Sequence, residues 1–537
     1  MSVQFELPAS SAEAVPAFDS VAACADWLAA LPLTNPATAQ AQLRAQVALL
    51  PIAGFEARLV LDLAEALRAS VLQVQAEVAR RFAFRPLPLG ELESAAASAT
   101  LNLWHAYALV YQVCVQAALD GDRALRSHAA LACQRALDAQ VRLLFDTQCA
   151  GFEIAAADWT LLHKLYRAAE QLGTAAEKVK DPQLHGVAAT HAMATYARAL
   201  LLGLGLPPEM APRQALAVAM WTERLANRVV ITSLPPANPA KPAILVDLAA
   251  GRGGFRVDGA ASPRGDLRYV DIGALANALK KRIHLLRKGE TPASLGLGED
   301  ATMPGVEAAL IALYRHWGDA RVGREAARRA AGGRAQVAAG MAAMHYYISG
   351  KPFRPPGPPP ELSTRQLREI ATFGRVATRD DDEFSQLQGF ALEQWALQDE
   401  SVAGMRMVRA AAGARFAPTM LVAMKPADAR AFMVGTVRWV QVQAGGELAA
   451  GVRLIPGVPA PVAARQTGLA AAAAKYQPAL LLPAVAALHS PESLILPGGW
   501  FKAGRIVEVH ADAAWNARLD TLVERGADFE RCTFTRT

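Results

Sequence analysis

The sequence predicts a multidomain α+β protein in which an N-terminal all-α helical scaffold is followed by an antiparallel β-barrel and a small β-rich C-terminal extension. From about residue 20 to about residue 230, apolar residues recur every three or four positions, which is the spacing of amphipathic helices. After about residue 390 the chain instead contains short alternating runs separated by Gly, Pro or Asp, which is typical of a barrel or sandwich. At 537 residues, the chain is too long for a single core.

The helical pattern predicts a bundle domain over residues 1–235. Leu59, Leu63 and Leu67 show its repeat, which places one apolar face against a core. A Pro-rich stretch then leads into short apolar runs and two further helical stretches, so residues 236–320 are expected to form a small β element plus helices. The glycines of residues 251–254 favour a hairpin turn, because the lysine of a phosphate-binding loop is absent.

A barrel is expected over residues 321–465, with an insertion at about 350–388. The insertion begins with the run KPFRPPGPPPEL, which cannot continue a helix or an interior strand because proline lacks the amide donor. Residues 466–537 are expected to form the β-rich extension, with a terminal helix at Ala513–Gly526. The patterns leave open whether this extension enlarges the barrel or forms a separate unit.

Composition narrows the class of function. The net charge of +6 accommodates an anionic partner, but no basic stripe with interleaved aromatic residues indicates nucleic-acid binding. The ten histidines are scattered and form no metal-ligand or catalytic motif. We therefore expect a protein that is not an enzyme and that binds no metal and no cofactor. The five dispersed cysteines and the lack of a secretory signal or a long apolar run predict a cytoplasmic protein with no transmembrane segment.

One short motif carries specific chemistry, the run from Asp399 to Gly404 between two predicted strands. Asp399 and Ser401 on a tight turn would present a carboxylate and a hydroxyl side by side, able to bind the edge of a guanine. Gly404 would allow a sharp turn and would leave room for a base. The alternative is an ordinary hairpin in which Asp399 and Ser401 only bond their own backbone.

Asp399, Ser401 and Gly404 match the D/N-x-S-x-x-G motif of PilZ domains, and the runs GTVRWVQ and AAGVRLIPG resemble that family's later strands. The resemblance implies a β-barrel that binds cyclic di-GMP as its ligand. It also implies that Asp399 and Ser401 read the base edge while Gly404 shapes the turn. The specific part of the resemblance is confined to short motifs within about 140 residues.

PilZ domains that bind cyclic di-GMP also carry an R-x-x-x-R motif before the first strand, and two candidates are present. Arg324 and Arg328 precede the run AQVAAGMAAMHYYISG, a plausible first strand. Arg375 and Arg379 lie nearer to Asp399, but the acidic run that follows them would repel a phosphate. We therefore favour Arg324 and Arg328 and keep the second pair as the alternative.

The resemblance implies a bacterial cyclic di-GMP receptor that signals through the helical region to a protein partner and controls motility, attachment or pili. The alternative is a PilZ-like adaptor that binds no nucleotide and acts through protein–protein contacts. Whether the arginines face Asp399 discriminates between the two.

Overall fold

The computed structural model of the protein describes residues 3–184, 186–204, 210, 212–235, 243–257, 265–299, 301–303, 305–318, 329–357, 389–467 and 474–537. The chain forms two compact units, one made of residues 1–85 and 89–323 and the other of residues 86–88 and 324–537. None of the described helices is both long enough and apolar enough to cross a membrane.

The first unit is mainly helical, as the apolar periodicity predicts. Its long central helices bury one face along their whole length, for example Leu63, Leu67 and Val71 of α3. The helices are α1 (Val21–Ala29), α2 (Pro36–Leu49), α3 (Ala57–Ala79), α4 (Glu91–Leu119), α5 (Arg123–Arg126), α6 (Ala129–Cys149), α7 (Ala156–Gln171), α8 (Ala192–Gly203), α9 (Pro212–Leu225), α10 (Gly273–Arg287) and α11 (Gly305–Gly318).

Two small antiparallel sheets interrupt the helices of this unit. One is a two-stranded ribbon, and the other has four strands in the order β3-β6-β4-β5. Their strands are β1 (Val179–Lys180), β2 (Ala189–Thr190), β3 (Val230–Thr232), β4 (Ala243–Asp247), β5 (Phe255–Val257) and β6 (Leu267–Asp271). The four-stranded sheet, α10 and α11 share one continuous apolar core with the earlier helices.

The second unit begins with a closed antiparallel barrel. The ring of hydrogen-bonded strands runs β8-β9-β10-β13-β12-β11 and returns to β8, while β7 continues along the edge of β9. The strands are β7 (Arg329–Ala330), β8 (Arg334–Ala339), β9 (Glu393–Ser401), β10 (Gly404–Ala410), β11 (Leu421–Pro426), β12 (Met433–Val442) and β13 (Glu447–Leu454). The predicted antiparallel barrel is therefore present.

The run AQVAAGMAAMHYYISG, taken as a single first strand, is a strand followed by a helix. Strand β8 ends at Ala339, Gly340 has a φ of 85°, and Met341–Ser349 form helix α12. A backbone with positive φ breaks the extended strand, and glycine adopts that conformation without steric cost. Met344 of α12 is fully buried in an apolar cluster that contains residues of both barrels of this unit.

A second closed barrel of six strands completes the unit, in the order β14-β15-β16-β19-β18-β17. Its strands are β14 (Ala460–Gln466), β15 (Gln477–Leu482), β16 (Ser493–Pro497), β17 (Ile506–His510), β18 (Ala514–Arg525) and β19 (Phe529–Arg536). The C-terminal β-rich extension is thus a barrel of its own.

The terminal helix predicted at Ala513–Gly526 is wrong, because these residues form strand β18. Ala517 and Leu519 point into the barrel and alternate with exposed residues, which is the period of a strand. The segment is rich in Ala, Leu, Arg and Glu, which favour helices, but closure of the barrel supplies backbone partners on both edges of β18.

The two barrels contact each other through the hairpin that joins β18 to β19. The Asp528 carboxylate accepts a hydrogen bond from the Leu421 amide at 2.9 Å, and the Ala527 amide donates to the Thr419 carbonyl at 3.0 Å. Burial raises the pKa of Asp528. A further contact joins Glu524 of β18 to Arg453 of β13 at 2.7 Å.

Candidate functional site

The predicted Asp399 motif lies at the hairpin between β9 and β10. Ser401 ends β9, Gly404 begins β10, and the two are register partners across a two-residue turn formed by Val402 and Ala403. Val402 is exposed at the tip, with 82% of its surface accessible. The carboxylate and hydroxyl are therefore carried at the end of a tight hairpin, as the motif predicts.

Hydrogen bonds hold this hairpin in one conformation. The Ser401 hydroxyl donates to the Gly404 carbonyl at 3.2 Å, and the Leu454 amide donates to the Ala403 carbonyl at 2.9 Å. The Ser401 oxygen still has lone pairs to accept a bond from a ligand, since a hydroxyl is both donor and acceptor. The hairpin needs no rearrangement to present these atoms.

Gly404 is required for a reason different from the one that the motif indicated. Its φ is outside the left-handed region, so the turn does not need glycine there. Instead, a Cβ atom at Gly404 would overlap the carbonyl oxygen of Val452 on the neighbouring strand β13. Glycine thus permits the close approach of two backbones directly beside the hairpin.

Strand register places a row of functional side chains across the outer face of the first barrel. Asp399 is opposite Arg406, Arg406 is opposite Gly451, and Gly451 is opposite Trp439. Residues directly opposite each other in antiparallel strands point to the same face. Buried partners such as Met405 and Val452 lie on the other face, which is the interior of the barrel.

The row contains an arginine and an aromatic ring that the motif analysis did not assign to the site. The Arg406 guanidinium lies 5.8 Å from the centre of the Trp439 ring, within the range of a cation–π contact. A Cβ atom at Gly451 would overlap the Trp439 indole, so glycine lets this ring lie across β13. Trp439 and Gly451 both fall in the quoted runs, but only the register brings them together.

The Arg406 guanidinium is incompletely hydrogen-bonded. Its Nε atom is buried and has no hydrogen-bond partner within the described part of the chain. Buried polar groups are usually satisfied, so an orphaned donor beside a carboxylate and an exposed hairpin is a feature of binding sites.

Arg324, Arg328, Arg375 and Arg379 all lie outside the described residues. The described chain resumes at Arg329, whose backbone pairs with Glu400 and whose guanidinium forms an ion pair with the Glu400 carboxylate at 2.7 Å. The residue directly after the preferred pair is therefore a strand partner within the motif.

A buried ion pair fixes the strands beneath the hairpin. Arg409 of β10 contacts Glu393 of β9 at 2.9 Å, and its guanidinium lies 5.0 Å from the centre of the Trp395 ring. Burial lowers the pKa of Arg409. This contact ties the far ends of β9 and β10 together, so the hairpin projects from two strands that are held in register.

The arrangement is suited to binding a flat anionic molecule. It offers a carboxylate and a hydroxyl for a base edge, a guanidinium with an unused donor and an indole face for stacking. No group of three or more His, Cys, Asp or Glu side chains with metal-binding geometry occurs among the residues that the structure describes. The fold and the site define an α+β multidomain protein with a helical region and a hairpin-bearing barrel.

Comparison with protein families identifies the two ends of the chain. Residues 22–237 match the N-terminal domain of the cyclic-di-GMP receptor FimW, and residues 462–537 match the FimW C-terminal β-barrel domain. The chain therefore carries the N- and C-terminal domains of the FimW family, a family of cyclic di-GMP receptors. Neither match includes the first barrel, and neither names the PilZ family. A comparison with curated proteins gave no match.

Proposed function

We propose that this protein is a cytoplasmic cyclic di-GMP receptor whose first barrel is PilZ-like and binds the dinucleotide on its outer face. The family description supports the ligand. The observation that carries the site is the row of Asp399, Arg406 and Trp439 directly beside the Ser401 hairpin. The five cysteines, all reduced and buried, are compatible with a reducing compartment.

Each side chain in this site has a role that its chemistry supports. Asp399 accepts hydrogen bonds from the N–H donors of one guanine, and Ser401 accepts from the same edge. Arg406 supplies a positive charge beside the hairpin for an anionic group of the nucleotide. Trp439 stacks on a base, a contact that is worth about 1–3 kcal/mol per base in proteins that bind single-stranded nucleic acids.

Chain connectivity favours Arg324 and Arg328 as the phosphate-binding pair. Arg328 precedes Arg329, which pairs with Glu400, and consecutive Cα atoms are only about 3.8 Å apart. Arg379, in contrast, precedes the next described residue, Gly389, by a segment that can extend over about 35 Å. Two guanidinium forks near the motif would bind the phosphates and the O6/N7 edge of guanine.

The receptor is proposed to signal through its helical region to a protein partner, in control of motility, attachment or pili. The preferred arginines lie between the helical unit and the first barrel strand in the sequence, so a ligand that binds them would also contact the segment that connects the two. Saturating cyclic di-GMP should slow amide exchange in α10 and α11 as well as at the hairpin. Protection limited to the first barrel would contradict this route of signalling.

Calorimetric titration with cyclic di-GMP tests the proposed site. Asp399→Ala combined with Ser401→Ala should abolish measurable binding, because hydrogen bonds to charged groups contribute about 1.5–3 kcal/mol each. The melting temperature of the free protein should change little, since both side chains lie at the end of the hairpin outside the barrel interior, and the neutral hydrogen bond that Ser401 loses contributes only about 0.5–1.5 kcal/mol. Glu492→Ala, which removes an exposed carboxylate from the second barrel, is the matched control and should bind like the unchanged protein.

Two results would contradict the proposal in different ways. Unaltered affinity in the double variant would show that the nucleotide binds elsewhere. If the unchanged protein gives no saturable binding to cyclic di-GMP while GTP and GMP also give none, the protein is an adaptor of the PilZ-like type.

A further inference from the structure

A small cavity in the helical unit is lined by guanidinium groups. It has a volume of about 160 Å³ and lies between the last turn of α9, the second half of α10 and the loop that contains Gly296. Arg224 of α9 and Arg282 of α10 both line it. Pockets for drug-sized ligands usually measure about 300–1,000 Å³, so this cavity is suited to a much smaller molecule.

Two glycines hold Arg224 in place. Gly186 and Gly296 have φ angles of 68° and 69°, and a Cβ atom at either position would overlap the Arg224 guanidinium. The guanidinium also donates a hydrogen bond to the Gly296 carbonyl at 3.1 Å. Because both backbones lie against this planar group, the direction of its remaining donors is fixed before any ligand arrives.

The arginines at this cavity have no carboxylate partner in the described part of the chain. Arg282 donates a hydrogen bond to the Ala278 carbonyl of its own helix at 3.3 Å. Among the residues that the structure describes, no carboxylate forms an ion pair with Arg224, Arg228 or Arg282. Burial and the neighbouring charges of Arg228 and Arg224 lower the pKa of Arg282.

Arg224 and Arg282 are only partly buried, whereas the fully buried arginines of the same unit are neutralised. Arg68 contacts Asp181 at 2.6 Å, Arg135 contacts Asp181 at 2.9 Å, and Arg198 contacts Glu223 at 3.0 Å. Burying a charge is costly unless an opposite charge accompanies it, and like charges brought together add to that cost. Among the described residues, the two partly buried arginines of the cavity between α9 and α10 therefore differ from these in lacking a carboxylate partner.

We propose that this cavity is a binding site for the phosphate group of a small anion. Arg224 and Arg282 would form charge-assisted hydrogen bonds to the phosphate oxygens, and the nearby charge of Arg228, which acts on Arg282, would add to the positive potential. The volume excludes a cyclic dinucleotide, so the site is separate from the one on the first barrel. The proposal does not depend on the function of that barrel.

Calorimetry with inorganic phosphate, in a phosphate-free buffer at constant ionic strength, tests the site on the full chain. Arg282→Gln should weaken phosphate binding at least tenfold, since one charge-assisted hydrogen bond and one unit charge are lost. Arg213→Gln removes the same charge from an exposed position on α9 and is the matched control, with unchanged affinity. Equal affinities for the two variants would overturn the proposal.

Two further measurements keep the test decisive. Arg228 lies on the surface, so Arg228→Gln should leave the fold intact. Weaker phosphate binding by this variant would support the site even if Arg282→Gln is unstable. A parallel titration with glycerol 3-phosphate separates two sources of the group: equal or tighter binding indicates a phosphorylated metabolite, whereas binding of phosphate alone indicates the free ion. If neither compound gives saturable binding, the proposal is wrong.

Discussion

The two barrels of the second unit have the same topology and different surfaces. The six strands of each barrel can be numbered from one to six in chain order, if β7 and β8 are counted as one interrupted strand. Around the ring, both barrels then have the strand order 1-2-3-6-5-4, and in both the fourth strand pairs with the first to close the ring. In the first barrel, strands two and three are joined by the two-residue turn after Ser401. In the second, the equivalent connection is the longer loop from Pro483 to Glu492, which contains no D-x-S-x-x-G motif.

The outer faces differ in the same way. Trp439 of the first barrel lies across Gly451, in line with Arg406 and Asp399. The second barrel also pairs an indole with an arginine, since the Arg536 guanidinium lies 4.6 Å from the centre of the Trp515 ring. The β17–β18 turn beside that pair carries Asp512 but lacks the serine and glycine of the D-x-S-x-x-G motif. One topology therefore supports two surfaces, and function depends on the residues that the hairpin carries.

The largest expected effect concerns Arg324 and Arg328, because this pair would give the first barrel a phosphate-binding site that the second barrel lacks. Arg324→Ala with Arg328→Ala should weaken cyclic di-GMP binding by about 1,000-fold, because two charge-assisted contacts of about 1.5–3 kcal/mol each are lost. Arg375→Ala with Arg379→Ala should bind normally. Calorimetry on both double variants checks this, and the opposite pattern would assign the phosphates to the second pair.

Gly404→Ala should destabilise the first barrel by about 2–3 kcal/mol, since the new methyl group would overlap the Val452 carbonyl and force two strands apart. Urea unfolding followed by tryptophan fluorescence measures the loss, and amide exchange in β10 assigns it to this barrel. Gly498→Ala in the second barrel is the control, because the nearest atom to a Cβ there is 3.8 Å away. Equal stability of the two variants would show that the strands separate easily.

Trp439→Ala should weaken cyclic di-GMP binding about tenfold, as expected for the loss of one stacked base worth about 1–3 kcal/mol. Trp515→Ala removes the corresponding indole from the second barrel and should leave the affinity unchanged. Competition binding with a fluorescent analogue distinguishes the two. Similar losses in both variants would indicate an effect on folding instead of on stacking.

The smallest effect concerns the hairpin by which the second barrel contacts the first. The pKa of Asp528 is raised in the folded state, so folding favours the protonated carboxyl, and stability falls as pH rises through that pKa. Asp528→Asn keeps an acceptor for the Leu421 amide and removes the buried charge, so it should be more stable than the unchanged protein at pH 7. Thermal unfolding from pH 3 to pH 8 should show this gain vanishing at the acidic end. Asp512→Asn, at an exposed position, should show no such trend.

Local patterns were enough to predict the fold class and the position of the hairpin. The helical repeat at Leu59, Leu63 and Leu67 and the turn signal after Ser401 arise from contacts within a few residues, and each is visible in a short window of sequence. The same kind of local evidence failed for β18, where helix-favouring residues form a strand. There, pairing with β17 and β19 outweighs intrinsic preference.

The sequence by itself determined the segments that form helices and strands over most of the chain, and the aspartate, serine and glycine of the hairpin motif. Only the tertiary structure decided that Arg406 and Trp439 belong beside Asp399, because strand register joins residues far apart in the chain. It likewise decided that Gly404 permits the close approach of β10 to Val452, and that Arg224 and Arg282 line the same cavity. Such contacts depend on how distant elements pack against each other, and the periodicity of the sequence does not predict them.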